Sequence, residues 1–328
     1  MIEIGAHIVP LMPPDMVVEV AKEAERIGFD YCLIADEGFH PDVHACLGAI
    51  ARETSRIKIG AVTNGYTRHP AVTAAALATV NEMSGGRAFV TLLAGGSMVL
   101  APMGIPRVKP FRTVSESMQI MKSLWSGEEV TWEGSRFSLD QAALGLGPQS
   151  IPIWIASRGP MLLRHAGRCA EGALITVKPD LGAAFGIVDD AADETGRPHP
   201  KHIYLGRICY TPEMLTEQRM TLPYVLMDSP TRVLESLGFD QSEISLVARA
   251  AAENSPQLLE PLATLDLLAR YQVSGSPAEC SNQLRDLTDK HGLDAFFGDV
   301  LLDNLEDNVK LMEETYAIVA AAGSGGFD

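Results

Sequence analysis

Ile151-Pro-Ile-Trp-Ile-Ala-Ser-Arg-Gly-Pro-Met-Leu-Leu-Arg-His-Ala-Gly167 is the stretch that decides how this chain is read. Its apolar run from Ile151 to Ala156 predicts a buried strand, and the pattern from Met161 onward predicts a helix. Pro160 suits the first helical position, where its missing N–H would be unpaired in any residue. Ser157, Arg158 and Gly159 then join the carboxyl end of a strand to the N-terminus of a helix. Backbone N–H groups, the positive helix end and a guanidinium converge on that loop, so it is a candidate site for an anion such as a phosphate. An ordinary turn with a surface Arg has the same local pattern. The neighbouring units must decide.

Before this stretch the chain alternates regularly. Ile2 to Val9 predicts a strand, Asp15 a helix cap, and Val17, Val20, Ala21 and Ala24 the buried face of a helix ending near Gly28. Tyr31 to Ala35 predicts a second strand, Asp42 to Thr54 a helix, and Ile57 to Thr63 a third strand. Pro70 opens a helix that Gly85-Gly86 stops, and Arg87 to Leu93 is the fourth strand. After a helix at Thr113 to Trp125, Glu129 to Leu139 alternates around Gly134 and reads as a hairpin.

Beyond the opening stretch the pattern resumes. Gly172 to Ile175 and Ile203 to Tyr210 predict strands, separated by a helix from Leu181 to Thr195. Thr211 to Val273 is helical without strands; a helix from Ser276-Pro277 to His291, a strand at Ala295 to Leu301 and a helix at Asn304 to Ala321 complete the series. The Gly-Ser-Gly-Gly tail reads as frayed. Eight strands in eight βα units predict an α/β chain forming a (β/α)8 TIM barrel, one domain over residues 1–328. A hairpin insert at about 127–150 and a helical excursion at about 211–273 hang on its loops. An open doubly wound sheet is the alternative, but no GxGxxG follows the first strand.

Composition narrows the function. The net charge of −16 opposes nucleic acid and anionic membranes, so an anionic ligand needs local Arg or backbone donors. Cys32, Cys46, Cys169, Cys209 and Cys280 have no CxxC spacing and read as reduced thiols of a cytosolic protein. No basic leader precedes the first strand, and no apolar run approaches the roughly 18 residues of a membrane span.

In a barrel the chemistry sits at the carboxyl ends of the strands. Those ends present His7, Asp36 with Glu37, Thr63 with Asn64, Gly95 to Ser97, Ser157 with Arg158, and Thr176. No metal-ligand spacing appears among them, and Ser97 lies in Gly-Gly-Ser, outside any GxSxG elbow. Glycines and small polar groups dominate, which suits a bound cofactor that does the hard chemistry. Asp36 also reads as a helix cap or an Arg partner, and His7 as a plain histidine at the mouth. Met98, Val99, Leu100 and Met103 read as loop packing or as the floor of a substrate pocket. Arg68 and His69 read as orienting the third loop.

Three segments together carry a resemblance: Val62-Thr-Asn-Gly-Tyr-Thr-Arg-His-Pro-Ala-Val-Thr-Ala74, Asn81-Glu-Met-Ser-Gly-Gly-Arg87, and the opening stretch. They resemble the luciferase-like superfamily of flavin-dependent barrels, and within it the methylenetetrahydromethanopterin reductases, which use the deazaflavin coenzyme F420. The resemblance covers most of residues 1–180 and 270–320, and the excursion matches poorly. It implies that Ser157, Arg158 and Gly159, next to Ala156, hold the cofactor phosphate. It further implies that Gly95, Gly96 and Ser97 line the ribityl chain, with Thr176 nearby. Ala61-Val62 would form a bulge with a cis peptide behind the ring, and Thr63 and Asn64 would bond its polar edge. Asp36 stands where the reductases keep an acid, whereas His7 replaces the family's acid on strand one. The implied function is hydride transfer between coenzyme F420, or FMN, and a small carbon substrate such as a methylene-tetrahydropterin or folate. An FMN monooxygenase and a flavin-binding barrel without turnover are the alternatives. The resemblance also implies a homo-oligomer, dimer or tetramer.

Overall fold

The structure, a computed structural model, describes residues 2–323. Eight parallel strands close into a barrel: β1 (Glu3–Ile8), β2 (Tyr31–Ala35), β3 (Lys58–Thr63), β4 (Ala88–Leu92), β5 (Ile153–Ala156), β6 (Gly172–Ile175), β7 (Lys201–Gly206) and β8 (Ala295–Val300). β1 pairs with both β2 and β8, so the sheet has no edge and the open-sheet alternative falls away. Outside lie α1 (Pro14–Ile27), α2 (Val43–Glu53), α3 (Pro70–Ser84), α4 (Pro110–Trp125), α5 (Pro160–Cys169), α6 (Leu181–Asp193), α7 (Pro277–His291) and α8 (Leu305–Gly323). The predicted frayed tail lies outside the described residues after Gly323.

Local chemistry explains most boundaries. Asp42 accepts from the N–H groups of His44 and Ala45 to start α2, and Ser276 with Glu279 forms a capping box on α7. Asp15 does not cap α1: Pro13 precedes the helix, and Asp15 sits in the first turn, where its charge suits the helix dipole. β5 starts two residues later than predicted because Pro152 has no N–H for the ladder and offers only its carbonyl, to Val90. β7 stops at Gly206, short of Tyr210. Arg207 N–H turns to the side chain of Gln272, and Ile208–Cys209 pairs instead with Val273–Ser274 outside the barrel. The hairpin forms from Val130–Glu133 and Ser138–Ala142, and the Glu116 carboxylate of α4 accepts from the backbone of Ser135, Arg136 and Phe137 at its tip.

Alternation along the strands points Ile, Val and Ala outward to the helices and leaves an aromatic group inside. Tyr31, Phe89, Trp154 and Phe297 meet with ring centroids 4.5 to 5.8 Å apart. Three glycines make room: a Cβ at Gly5 would lie 2.2 Å from the Phe297 ring, at Gly60 2.8 Å from Phe89, and at Gly172 2.7 Å from Trp154. Below the rings, Lys58 and Lys201 donate to the Tyr31 hydroxyl and Lys201 pairs with Glu3. The lower barrel is therefore filled, and any ligand space lies above the rings.

The Asn81–Arg87 segment braces the opposite end. Arg87 donates to the carbonyls of Ala51, Thr54, Ile57 and Ser84, joining α2, β3 and α3. The excursion between β7 and β8 is helical and has its own core, including Leu222, Leu226, Val233, Leu234, Leu268 and Tyr271. It touches the loops after β4, β5 and β6 and so roofs part of the barrel mouth.

The aromatic plug leaves no slack at Gly5. Gly5→Ala is expected to destabilise the protein by about 1–3 kcal/mol, the usual cost of overpacking, in equilibrium denaturation. A stability unchanged within 0.5 kcal/mol, a typical effect of a neutral surface change, would show that the plug is loosely packed.

Candidate active site at the barrel mouth

Two groups of side chains face each other across the carboxyl end of the barrel. The first is ionisable. His7, at the end of β1, brings Nδ1 within 2.7 Å of Asp299 Oδ1 at the end of β8, and Arg207 Nε lies 3.6 Å from Asp299 Oδ2. Burial pushes the Asp299 carboxyl up, but the His7 hydrogen bond and the charges of His7 and Arg207 outweigh it and hold the group below the usual carboxylate range. Glu37 moves the other way. Burial raises its carboxyl above the ordinary range despite His7 and His40 nearby, while Asp36 and Asp299 add to the rise. Asp36 accepts from the Thr63 hydroxyl at 2.7 Å. Thr63 is thus engaged with the acid and has its hydroxyl proton committed.

The second group is made of loops and small residues. Asn64 Oδ1 accepts from the N–H groups of Tyr66 and Thr67, while its amide nitrogen takes no partner among the described residues. Val62 and Ala156 pack on the aromatic plug. Thr91, two residues after Phe89 on β4 and so on the same inward face, is fully buried with an unpartnered hydroxyl. Gly96 has open space where a side chain would be. Helix α5 begins at Pro160 without a side-chain cap, and Gly159 N–H is held by Ser157 Oγ at 3.0 Å.

The roof changes two expectations. Ser97 N–H and Oγ both donate to Asp228 Oδ2, at 3.1 and 3.0 Å, and Arg107 pairs with Asp228 Oδ1 while donating to Gly95 O. Ser97 is therefore tied to the excursion. Arg158 likewise is no free guanidinium. Its Nε donates to Thr176 Oγ1 and its Nη1 to Val225 O and Ser229 Oγ, which leaves Nη2 for an anion. Arg232 pairs with the fully buried Asp180 through both carboxylate oxygens and donates to Arg158 O, so the excursion clamps this loop from above. Ala61–Val62 is trans, as there are no cis peptides among the described residues. β3 keeps unbroken register with β2 and β4 through both residues, so no bulge forms there, and Ala61 faces the helices. In the neighbouring loops, Met103 and Val99 lie over Gly38, Leu100 is packed under Gly95, and Met98 is exposed. Arg68 pairs with Asp42 and His69 caps α3, so both orient the third loop.

Arg207, Asp299, Asp228 and Arg232 are the site residues that sequence reasoning passed over. For Asp299 a signal existed: it lies two residues after Phe297, at the end of the eighth strand. Arg207 was hidden by extending β7 past it.

The family model described as luciferase-like monooxygenase matches residues 2–295. The chain belongs to this family. Among the luciferase-like relatives, the 5,10-methylenetetrahydromethanopterin reductase of Methanolobus tindarius is 29% identical over 94% of this chain and 97% of its own length. The solved structure of the coenzyme F420-dependent tetrahydromethanopterin reductase from Methanopyrus kandleri superposes with a TM-score of 0.82 at 24% identity, covering 97% of this chain and 98% of that one. A structure titled an F420-dependent secondary alcohol dehydrogenase in complex with an F420-acetone adduct superposes with a TM-score of 0.75 at 22% identity, covering 97% and 99%. These two superpositions show the shared luciferase-like fold.

Because Arg158 ties the roof down, Arg158→Ala is expected to lower the stability of the ligand-free protein by about 1.5–3 kcal/mol, the range for charged hydrogen bonds. It is also expected to weaken anion binding. Thermal unfolding and phosphate or cofactor titration measure the two effects; a loss of binding with unchanged unfolding would show that the roof does not depend on Arg158.

Proposed function

We propose that this chain is an oxidoreductase that binds coenzyme F420 at the barrel mouth and moves a hydride between it and a small carbon substrate. The most specific candidate is a methylene-tetrahydropterin or folate carrying one carbon. The observation that carries the reading is the set of residues above the aromatic plug: the small, part-exposed Val62 and Ala156 and the free Asn64 amide at one side, and a helix start without a side-chain cap beside Arg158 Nη2 at the other. That combination fits a flat heterocycle with a polar edge and a phosphate-bearing tail. Similarity to the reductases over nearly the whole chain supports coenzyme F420 as the occupant.

When bound, the deazaflavin supplies a two-electron hydride carrier, since carbon replaces the N5 through which flavins reach one-electron and oxygen chemistry. The residues of this chain do the rest. Asn64 would orient the ring through its free amide, and Ser157, Gly159 and Arg158 would hold the tail. The excursion keeps water from part of the mouth, and Asp36, set by Thr63, manages a proton as charge shifts. Barrel and roof act as one unit in this reading. A cytosolic, oligomeric enzyme of one-carbon metabolism is the setting that the resemblance implies.

The test is anaerobic. The apo-protein is expected to bind coenzyme F420 more tightly than FMN and to oxidise its reduced form only when methylene-tetrahydropterin or methylene-tetrahydrofolate is added, followed by deazaflavin absorbance. Asp36→Asn, which keeps an acceptor for Thr63, is expected to slow this at least about tenfold, within the range for an acid–base group. Tight FMN binding with strictly oxygen-dependent turnover would establish the monooxygenase alternative.

A further inference from the structure

The stretch between His7 and the roof forms a single line of contacts that the hydride-transfer reading does not use. His7 Nδ1 meets Asp299 Oδ1 at 2.7 Å across 292 residues of sequence. Asp299 Oδ2 faces Arg207 Nε at 3.6 Å, and the Arg207 and Asp299 side chains are only 16% and 20% exposed. Arg207 is fixed in turn by two residues of the excursion. Its backbone N–H donates to Gln272 Oε1 at 2.9 Å, and its guanidinium donates to the Gln218 carboxamide oxygen. His7 Nε2, by contrast, takes no partner among the described residues. Glu37, from the segment after β2, is the further titratable group that interacts with His7, and it interacts in turn with His40, Asp36 and Asp299.

An ionised carboxylate only accepts hydrogen bonds, so a neutral His7 facing Asp299 must carry its proton on Nδ1 and leave the Nε2 lone pair free. Protonated, the same ring keeps Nδ1–H on Asp299 and presents Nε2–H. The ring is thus held in one orientation in both charge states, which is what a proton carrier needs and what a histidine free to flip lacks. We propose that Asp299 is a positioning residue that fixes His7 as a second proton carrier beside Asp36, the one that serves the substrate nitrogen, with Arg207 and the excursion holding Asp299 in place. The inference rests on the function proposed above and deepens it. A methylene carbon bound to two nitrogens must release one of them before it accepts a hydride, and the C–N bond that breaks needs a proton on the departing nitrogen. His7 Nε2–H supplies that proton while the hydride from the reduced deazaflavin completes the methyl group.

The test separates orientation from turnover. In the apo-protein labelled with 15N-histidine, neutral His7 is expected to show a protonated Nδ1 and a bare Nε2. Asp299→Asn, whose amide can donate to Nδ1, is expected to reverse that tautomer. The same variant is expected to lose at least about a hundredfold in kcat, within the range for an acid–base group, with coenzyme F420 affinity and KM changed less than about threefold. His7→Gln, which can still donate to Asp299, is expected to lose kcat to the same extent while unfolding at the wild-type temperature. If Asp299→Asn leaves the tautomer unchanged, or if His7→Gln keeps the wild-type kcat, the inference is overturned. If coenzyme F420 fails to bind the wild-type protein, the function reading falls instead, and the tautomer signal still decides the positioning role of Asp299.

Discussion

The packing of Tyr31, Phe89, Trp154 and Phe297 inside the barrel is the contact on which the rest of the structure depends. Eight strands enclose a volume that must be filled from within, because an empty apolar interior forfeits dispersion on every lining atom. Here four rings from β2, β4, β5 and β8 fill the lower part, and Gly5, Gly60 and Gly172 on β1, β3 and β6 give them clearance. Three of the four rings, Phe297, Phe89 and Trp154, thus lie against a glycine on a neighbouring strand. Large residues below and small ones above divide the barrel into a solid base and a mouth, and that division places Val62 and Ala156 on top of the rings.

Above that base the mouth is shaped by charge pairs that reach across strands. Asp228 gathers Ser97 and Arg107, and Arg232 gathers Asp180 and the Arg158 carbonyl. Both come from the excursion, so this one segment holds three loops of the mouth. A buried pair such as Asp180–Arg232 adds little net stability over an apolar pair, yet losing one partner strands a charge. Such a pair acts to fix geometry. The same excursion anchors Arg207, and through it Asp299 and His7, so the roof and the ionisable group at the mouth are mechanically connected.

The segments that carry the family resemblance divide by role in the structure. Asn81 to Arg87 lies at the end of the barrel away from the mouth and braces helices through Arg87. Val62 to Pro70 contributes both to the mouth, through Val62 and Asn64, and to the scaffold, through Arg68 and His69. The frame and the mouth are therefore built from the same segments, and His7 with Asp299 joins the first strand to the last.

The sequence by itself determined the order of elements, the closure into eight βα units, and the residues that reach the mouth from β1 to β6. Those follow from local rules: a period of two or 3.6, proline at helix starts, glycine at stops, and alternation that sorts each strand into two faces. Even the Ser157–Gly159 loop was placed correctly at a strand end and a helix start. Only the tertiary structure decided whom those residues touch. Arg158 looked free because its partners, Val225 and Ser229, lie about seventy residues away, and His7 finds Asp299 only when β1 and β8 close the ring. A side chain's partner depends on register, twist and the path of a non-local loop, and none of these leaves a mark on the neighbouring letters of the chain.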